Sequence, residues 1–190
     1  MPHTFANTMF SAEAKRLQQR HGSRAAYENM AKAGAGEQRL GAAEAEFIGE
    51  RDSFYLATVT ADGWPYVQHR GGPAGFLQVL DEQTIAFGDY AGNKQYISAG
   101  NLATNDRVAL FLLDYPNQTR LKLIGHARVV EPGAGPELEA KIVGETLGLR
   151  VERLIVINVV GFDWNCSQHI TPRYTREEMK DHFPAGLAGK

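Results

Sequence analysis

Between Ser53 and Val160 the chain repeats short runs of β-branched, aromatic and aliphatic residues cut apart by turn signals. No other feature constrains the fold as much. Phe54 to Thr60 and Tyr66 to Arg70 flank Asp62-Gly63. Asp-Gly between two extended runs marks a tight hairpin, because glycine accepts a positive φ. Gly71-Gly72-Pro73 ends this pair, and Phe76 to Leu80 and Thr84 to Gly88 form a second pair around Asp81-Glu82. Val108 to Leu113 is continuously apolar, as a strand buried on both faces would be. Leu121, Leu123, Ala127 and Val129 alternate with Arg120, Lys122, His126 and Arg128, which gives one buried face and one basic face. Leu154 to Val160 is a final apolar strand. About six strands at such short spacing favour antiparallel pairing in a closed or nearly closed barrel. Glycine, at 20 of 190 residues, supplies the turns such a fold requires.

The remaining segments read as helical. Phe10, Ala14 and Leu17 share a face, as do Tyr27, Met30 and Ala31, and then Leu40, Ala43 and Phe47. Residues 1–50 are thus expected to form a helical N-terminal extension packed on a main body of residues 51–190, one structural domain overall. Asn93 to Leu102 and Glu137 to Leu147 are further helices. Phe162 to Tyr174 is an aromatic, polar tail, and Thr175-Arg176-Glu177-Glu178 has the spacing of a capping box that opens a last helix.

Composition excludes several classes of function. A net charge of −2 and a pI near 6.3 argue against a nucleic-acid partner. The single cysteine, Cys166, forbids an intrachain disulfide and is compatible with a reducing cytoplasm. Met1 to Lys15 lacks the pattern of a secretory signal, and no apolar run approaches the roughly 18 residues of a spanning helix. The expectation is a cytoplasmic protein without a membrane partner. There is no GxGxxG after a strand, no P-loop and no GxSxG elbow. Cys166 and His169 stand without the further ligands zinc requires, so no metal site is expected.

Four segments carry chemical content. In His69-Arg70-Gly71-Gly72, an arginine at a strand end precedes glycines, so its planar fork and nearby backbone amides can meet one anion. In Gly88-Asp89-Tyr90-Ala91-Gly92-Asn93-Lys94, a strand passes through a glycine loop to a helix start, where free amides and a lysine attract phosphate. Gln118-Thr119-Arg120 with Lys122 makes a third basic group. Trp164-Asn165-Cys166-Ser167-Gln168-His169, running on to Arg173, offers an aromatic wall and several fixed donors. Taken alone, each has an ordinary structural alternative: a surface arginine beside a turn, a capped helix, a solvated strand face, a plug for the barrel end.

Together these segments resemble the FMN-binding split-barrel family related to pyridoxamine 5′-phosphate oxidase. The resemblance spans Ser53 to Arg173 and is carried by His69-Arg70-Gly71-Gly72-Pro73-Ala74-Gly75-Phe76, Gly92-Asn93-Lys94, the strand from Thr119, and Trp164 to Ile170. Members similar in this last segment usually have proline where Ser167 stands. The resemblance implies a mainly β chain: a six-stranded antiparallel split β-barrel with flanking helices. It also implies a homodimer with two FMN sites at the interface. By position, Arg70 and Lys94 would hold the phosphate with Asn93 near it, and His69 and Gly71 beside Arg70 are further FMN-binding candidates. Gln118, Thr119, Trp164, Asn165 and Gln168 would close on the flavin. His169 is a candidate proton donor near neutral pH. The implied activity is an FMN-dependent oxidoreductase acting through flavin N5 on a small molecule. The alternatives are a non-catalytic flavin- or haem-binding carrier or sensor, and a pyridoxamine 5′-phosphate oxidase proper. The oxidases use a Ser-Arg-Lys type phosphate loop where this chain has Gly-Asn-Lys, and only His169 and Arg173 could stand in for their Arg/His pair.

Overall fold

The computed structural model describes residues 5–33, 38–143, 150–164 and 168–182. Four helices lead the chain: α1 (Phe5–Met9), α2 (Ala12–Arg20), α3 (Arg24–Ala33) and α4 (Ala42–Gly49). They are followed by β1 (Ser53–Val59), β2 (Pro65–Gly71), β3 (Gln78–Val79), β4 (Thr84–Tyr90), α5 (Ile97–Leu102), β5 (Arg107–Asp114) and β6 (Thr119–Val130). α6 (Pro136–Val143), β7 (Val151–Trp164) and α7 (Arg176–His182) complete the order.

All strands join one antiparallel sheet in the order β2-β1-β5-β6-β7-β4-β3. The described sheet therefore has seven strands where about six were expected; the smallest, β3, is two residues paired to β4. The mainly β, antiparallel class stands. The sheet curls until its ends approach, and Arg70 on β2 reaches Asp89 on β4. Inside the curl Phe54, Phe76 and Phe87 pack ring against ring, with Leu56, Leu110, Leu112, Leu121, Leu123, Ile155 and Ile157 around them. Leu40, Phe47 and Ile48 join this core, so the helical leader is tied to the barrel at its end. A smaller core of Ala86, Val130, Leu154 and Val156 lies under α6 and its Ile142.

Two segments differ from the sequence expectation. α5 opens at Ile97 and not at Asn93, because Lys94 and Tyr96 take left-handed backbone, with φ of 60° and 53°. β7 runs on through Phe162 to Trp164, because β6 is long enough to pair with it that far; Leu121 stands opposite Trp164. The Glu137–Leu147 helix is seen as α6, and its last residues lie outside the described set. The capping box at Thr175 forms as the spacing predicts. Glu178 N–H donates to Thr175 Oγ1 at 3.2 Å, and Thr175 N–H donates to the Glu178 carboxylate at 2.7 Å.

Candidate functional site

The edge strand β2 positions Arg70. Its burial alternates strictly, so Tyr66, Gln68 and Arg70 turn inward while Pro65, Val67, His69 and Gly71 turn out. Gln68 and Arg70 line a cleft of about 160 Å³ with Asp89 and Tyr90 from β4, the loop from Gly92 to Tyr96, the start of α5 and Glu152 of β7. A buried hydrogen bond from Asn101 Nδ2 to Thr58 Oγ1, 2.9 Å long, pins α5 to β1 and fixes one wall. Gln68 Oε1 accepts from Tyr66 Oη at 3.1 Å and from Ser98 Oγ at 3.4 Å.

Asp89 organises the cations. Its Oδ1 lies 2.5 Å from Arg70 Nη1 and its Oδ2 lies 3.1 Å from Arg153 Nη1, all three side chains being nearly buried. Arg153 stands opposite Asp89 in the β4–β7 register, and its guanidinium lies 4.8 Å over the ring of Tyr96. Glu152 takes a second contact from Arg153, at 3.4 Å. Two atoms remain buried without a partner on residues that line the cleft: Arg70 Nε and the Tyr90 hydroxyl. Burial pushes the Tyr90 phenol above its ordinary pKa, so it stays a neutral donor. Buried donors of this kind are unfavourable unless an acceptor meets them. A phosphate offers several acceptor oxygens and a charge that Arg70 and Lys94, both lining the cleft, could meet. The residues present therefore fit the phosphate end of FMN.

Arg70, Asn93 and Lys94 are thus brought together in one chain. Asn93 Oδ1 accepts the N–H of Gln95 at 3.1 Å, which shapes the loop that carries Lys94. Among the described residues, none of the other expected ones lines this cleft. His69 faces the opposite way, into a second cleft of about 590 Å³ shared with Tyr55, Arg51, Tyr115 and Arg173. Gly71 ends β2 on that same outer side. Gln118, in left-handed backbone, ties the β5–β6 turn to the tail by donating from Nε2 to the Ile170 carbonyl at 2.6 Å. The Thr119 hydroxyl donates to the Asn117 carbonyl at 3.1 Å. Trp164 packs edge-on against Phe47 and donates from Nε1 to Glu44 at 2.8 Å. Gln168 and His169 are exposed, His169 with a φ of 65°, and Asn165 lies outside the described residues. Asp89 belonged to a motif that the sequence marked, but its role as shared counterion was not legible there. Arg153 gave no local signal at all, because only strand pairing brings it to Asp89.

A curled antiparallel sheet with this connectivity, its helices at the ends, defines a split barrel. The chain belongs to the pyridoxamine 5′-phosphate oxidase family, whose sequence profile matches residues 40–149. Comparison with curated proteins gives no match. The HupZ protein of Group A Streptococcus superposes with a TM-score of 0.54 at 17% identity, covering 71% of this chain and 99% of its own. An FMN-binding protein from Syntrophomonas wolfei superposes with a TM-score of 0.50 at 14% identity, covering 78% and 97%. At such identities the likeness is one of fold.

Proposed function

We propose that this chain binds FMN, with the phosphate in the Arg70–Lys94 cleft, and acts as a flavin-dependent oxidoreductase on a small molecule. The observation that carries the reading is the half-used guanidinium of Arg70. Asp89 engages one edge of it, and Nε stays buried without an acceptor beside Lys94. Family membership and the FMN-binding protein of the same fold support it. In this reading Arg70 meets the phosphate with the free side of its fork, and Lys94 adds a point charge. Asp89 keeps both arginines in place, and the Tyr90 hydroxyl and Asn93 supply neutral polar contacts. Bound FMN contributes hydride acceptance and donation at N5.

The working form is proposed to be a cytoplasmic homodimer. No helix among the described residues is long and apolar enough to cross a membrane. Val67, on the outer face of β2, is 60% exposed, and Trp64 beside it is 73% exposed. Apolar groups so displayed favour a partner. His69, Gly71, Gln118, Thr119, Trp164, Asn165 and Gln168 would complete the ring end of the site across the two-fold axis, and His169 is the candidate proton donor there.

Visible absorbance of the purified protein tests this reading. A flavin spectrum that NADPH bleaches, with turnover of an added acceptor, is the expected result. Protein that is colourless and takes up no added FMN would sink the proposal. Flavin that is bound but never turned over would reduce it to a carrier or sensor.

A further inference from the structure

An acid stands in the cleft assigned above to a phosphate. Glu152 lines it together with Arg70 and Lys94, and its side chain is largely buried. A carboxylate so placed repels an anion, so its presence calls for a separate reason.

Strand geometry shows how Glu152 comes to be there. Along β7, Leu154 and Val156 face the small core under α6, and Ile155 and Ile157 face the barrel core. Unbroken alternation would send Glu152 to the α6 side and Val151 to the barrel side. Val151 instead packs with the core under α6. The cause is a register shift against β4. Asp89 stands opposite Arg153 and Tyr90 opposite Val151, which leaves Glu152 as an extra residue with nothing opposite it. Pairing resumes beyond it, where Ala91 N–H donates to the Arg150 carbonyl at 2.9 Å. A bulge of this kind re-aims a side chain without ending the strand. Here it brings Glu152 to a cleft that regular alternation would deny it.

The surroundings leave Glu152 with spare acceptor capacity. Its polar partner is Arg153, whose Nη2 lies 3.4 Å from the carboxylate. That guanidinium is already engaged by Asp89 at 3.1 Å and lies over the Tyr96 ring. Both Asp89 oxygens are held by arginines. On its other side Glu152 borders a groove with Glu139 and Arg150. A carboxylate can accept about four hydrogen bonds, and Arg153 supplies one long one.

The cleft thus holds two kinds of unmet group. Arg70 Nε and the Tyr90 hydroxyl are donors without acceptors, which phosphate oxygens suit. Glu152 is an acceptor short of donors, and an ionised phosphate has none to give. The donor has to come from the part of the ligand next to the phosphate. At about 160 Å³ the cleft is smaller than the roughly 300–1,000 Å³ of a site for a whole small molecule. It takes the phosphate and the first atoms of the chain that carries it.

We infer that Glu152 is a specificity-determining residue that accepts a hydroxyl of the ligand's phosphate-bearing chain, so that the cleft selects the phosphate ester of a polyol over that of a plain alkyl chain. This rests on the FMN reading, since the ribityl chain of FMN is such a polyol, and it gives the β7 bulge a use.

The test pairs two ligands with two variants. Isothermal titration compares FMN with an analogue whose ribityl chain is replaced by an ω-phosphopentyl chain, which keeps the ring and the phosphate but has no chain hydroxyl. The parent should bind FMN at least tenfold more tightly, as a hydrogen bond to a charged acceptor warrants. Glu152→Ala should cut that preference at least fivefold, weakening FMN while leaving or improving the analogue. Glu152→Gln keeps the side chain's shape without its charge and should cut the preference at least threefold. Circular dichroism verifies folding, and the glutamine variant decides alone where the alanine variant does not fold. A merely structural role would weaken both ligands alike, and an unmoved ratio overturns the inference while FMN binding itself stands. Proton uptake with FMN, read as a heat that follows buffer ionisation enthalpy, alongside an unmoved ratio would show Glu152 sharing a proton with the phosphate and overturn it as well. Failure of the parent to bind FMN refutes the flavin reading and this inference together.

Discussion

Arg70 sits on the outermost strand of the sheet and is nearly buried, because the sheet's far end folds back over it. Asp89 answers its charge, and Arg153 shares the same carboxylate. Charge-assisted hydrogen bonds of this kind contribute about 2 kcal/mol, or roughly thirtyfold in affinity. Arg70→Ala should therefore weaken FMN binding by about that factor, as read by fluorescence titration. Arg70→Lys should recover only part of it, because a lysine offers no planar fork. Equal affinity in Arg70→Ala and the parent would place the phosphate elsewhere. The sequence marked Arg70 and Lys94, since a strand end and a glycine loop are local signals. It grouped His69 with Arg70, although a strand's period of two sends neighbours to opposite faces.

Asp114 poses a separate electrostatic problem at the other end of the barrel. Burial alone would raise its pKa, but hydrogen bonds from the Asn117 side chain and backbone, with Arg51 beside it, hold it below the ordinary aspartate range. A carboxylate with a lowered folded pKa stabilises the fold above its unfolded pKa of about 3.9 and loses that contribution as pH falls through the folded value. Asp114→Asn should lower stability at neutral pH and flatten the decline below about pH 4. Urea midpoints at neutral and acid pH measure both effects. A variant with the parent's acid limb would show that Asp114 is not its source.

At the scale of elements, the loop between β4 and α5 and the pairing of β6 with β7 determine where the cleft lies. Left-handed Lys94 and Tyr96 delay α5 and leave room for the cleft ahead of it. Sequence patterns do not register such backbone choices, since Lys and Tyr seldom adopt them. The β6–β7 pair slips register between Ile124 and Gly125. A Cβ at Gly125 would stand 2.3 Å from the Asn158 carbonyl oxygen, which is backbone and cannot swing aside. Gly125→Ala should destabilise the protein by about 1–3 kcal/mol, the usual penalty for forcing atoms into a packed interior. Denaturant unfolding provides the comparison, and a loss under about 0.5 kcal/mol, the range of neutral surface changes, would mean that the strands part easily. The strands themselves were legible because alternation and Asp-Gly punctuation are local. Arg153 meeting Asp89 was not, because it depends on which strands become neighbours.

The whole molecule combines a family barrel with a leading helical arm. Periodicity revealed the arm's helices, and Leu40, Phe47 and Ile48 show how the last of them enters the barrel core. Periodicity did not reveal how α2 and α3 pack on each other and on α1, since an apolar stripe does not name its cover. The same reasoning limits the reading of Gln118, Trp164 and Gln168. Their side chains serve the tail and the helical leader within one chain, or stand exposed.

The central claim is that the cleft between β2 and the β4–α5 loop recognises the phosphate of a flavin. Isothermal titration of the same protein with FMN and with riboflavin tests it most directly, since the two ligands differ only in that phosphate. The account predicts that FMN binds at least tenfold more tightly, with the advantage abolished by Arg70→Ala. Equal affinity for both flavins, or binding of neither, would contradict it.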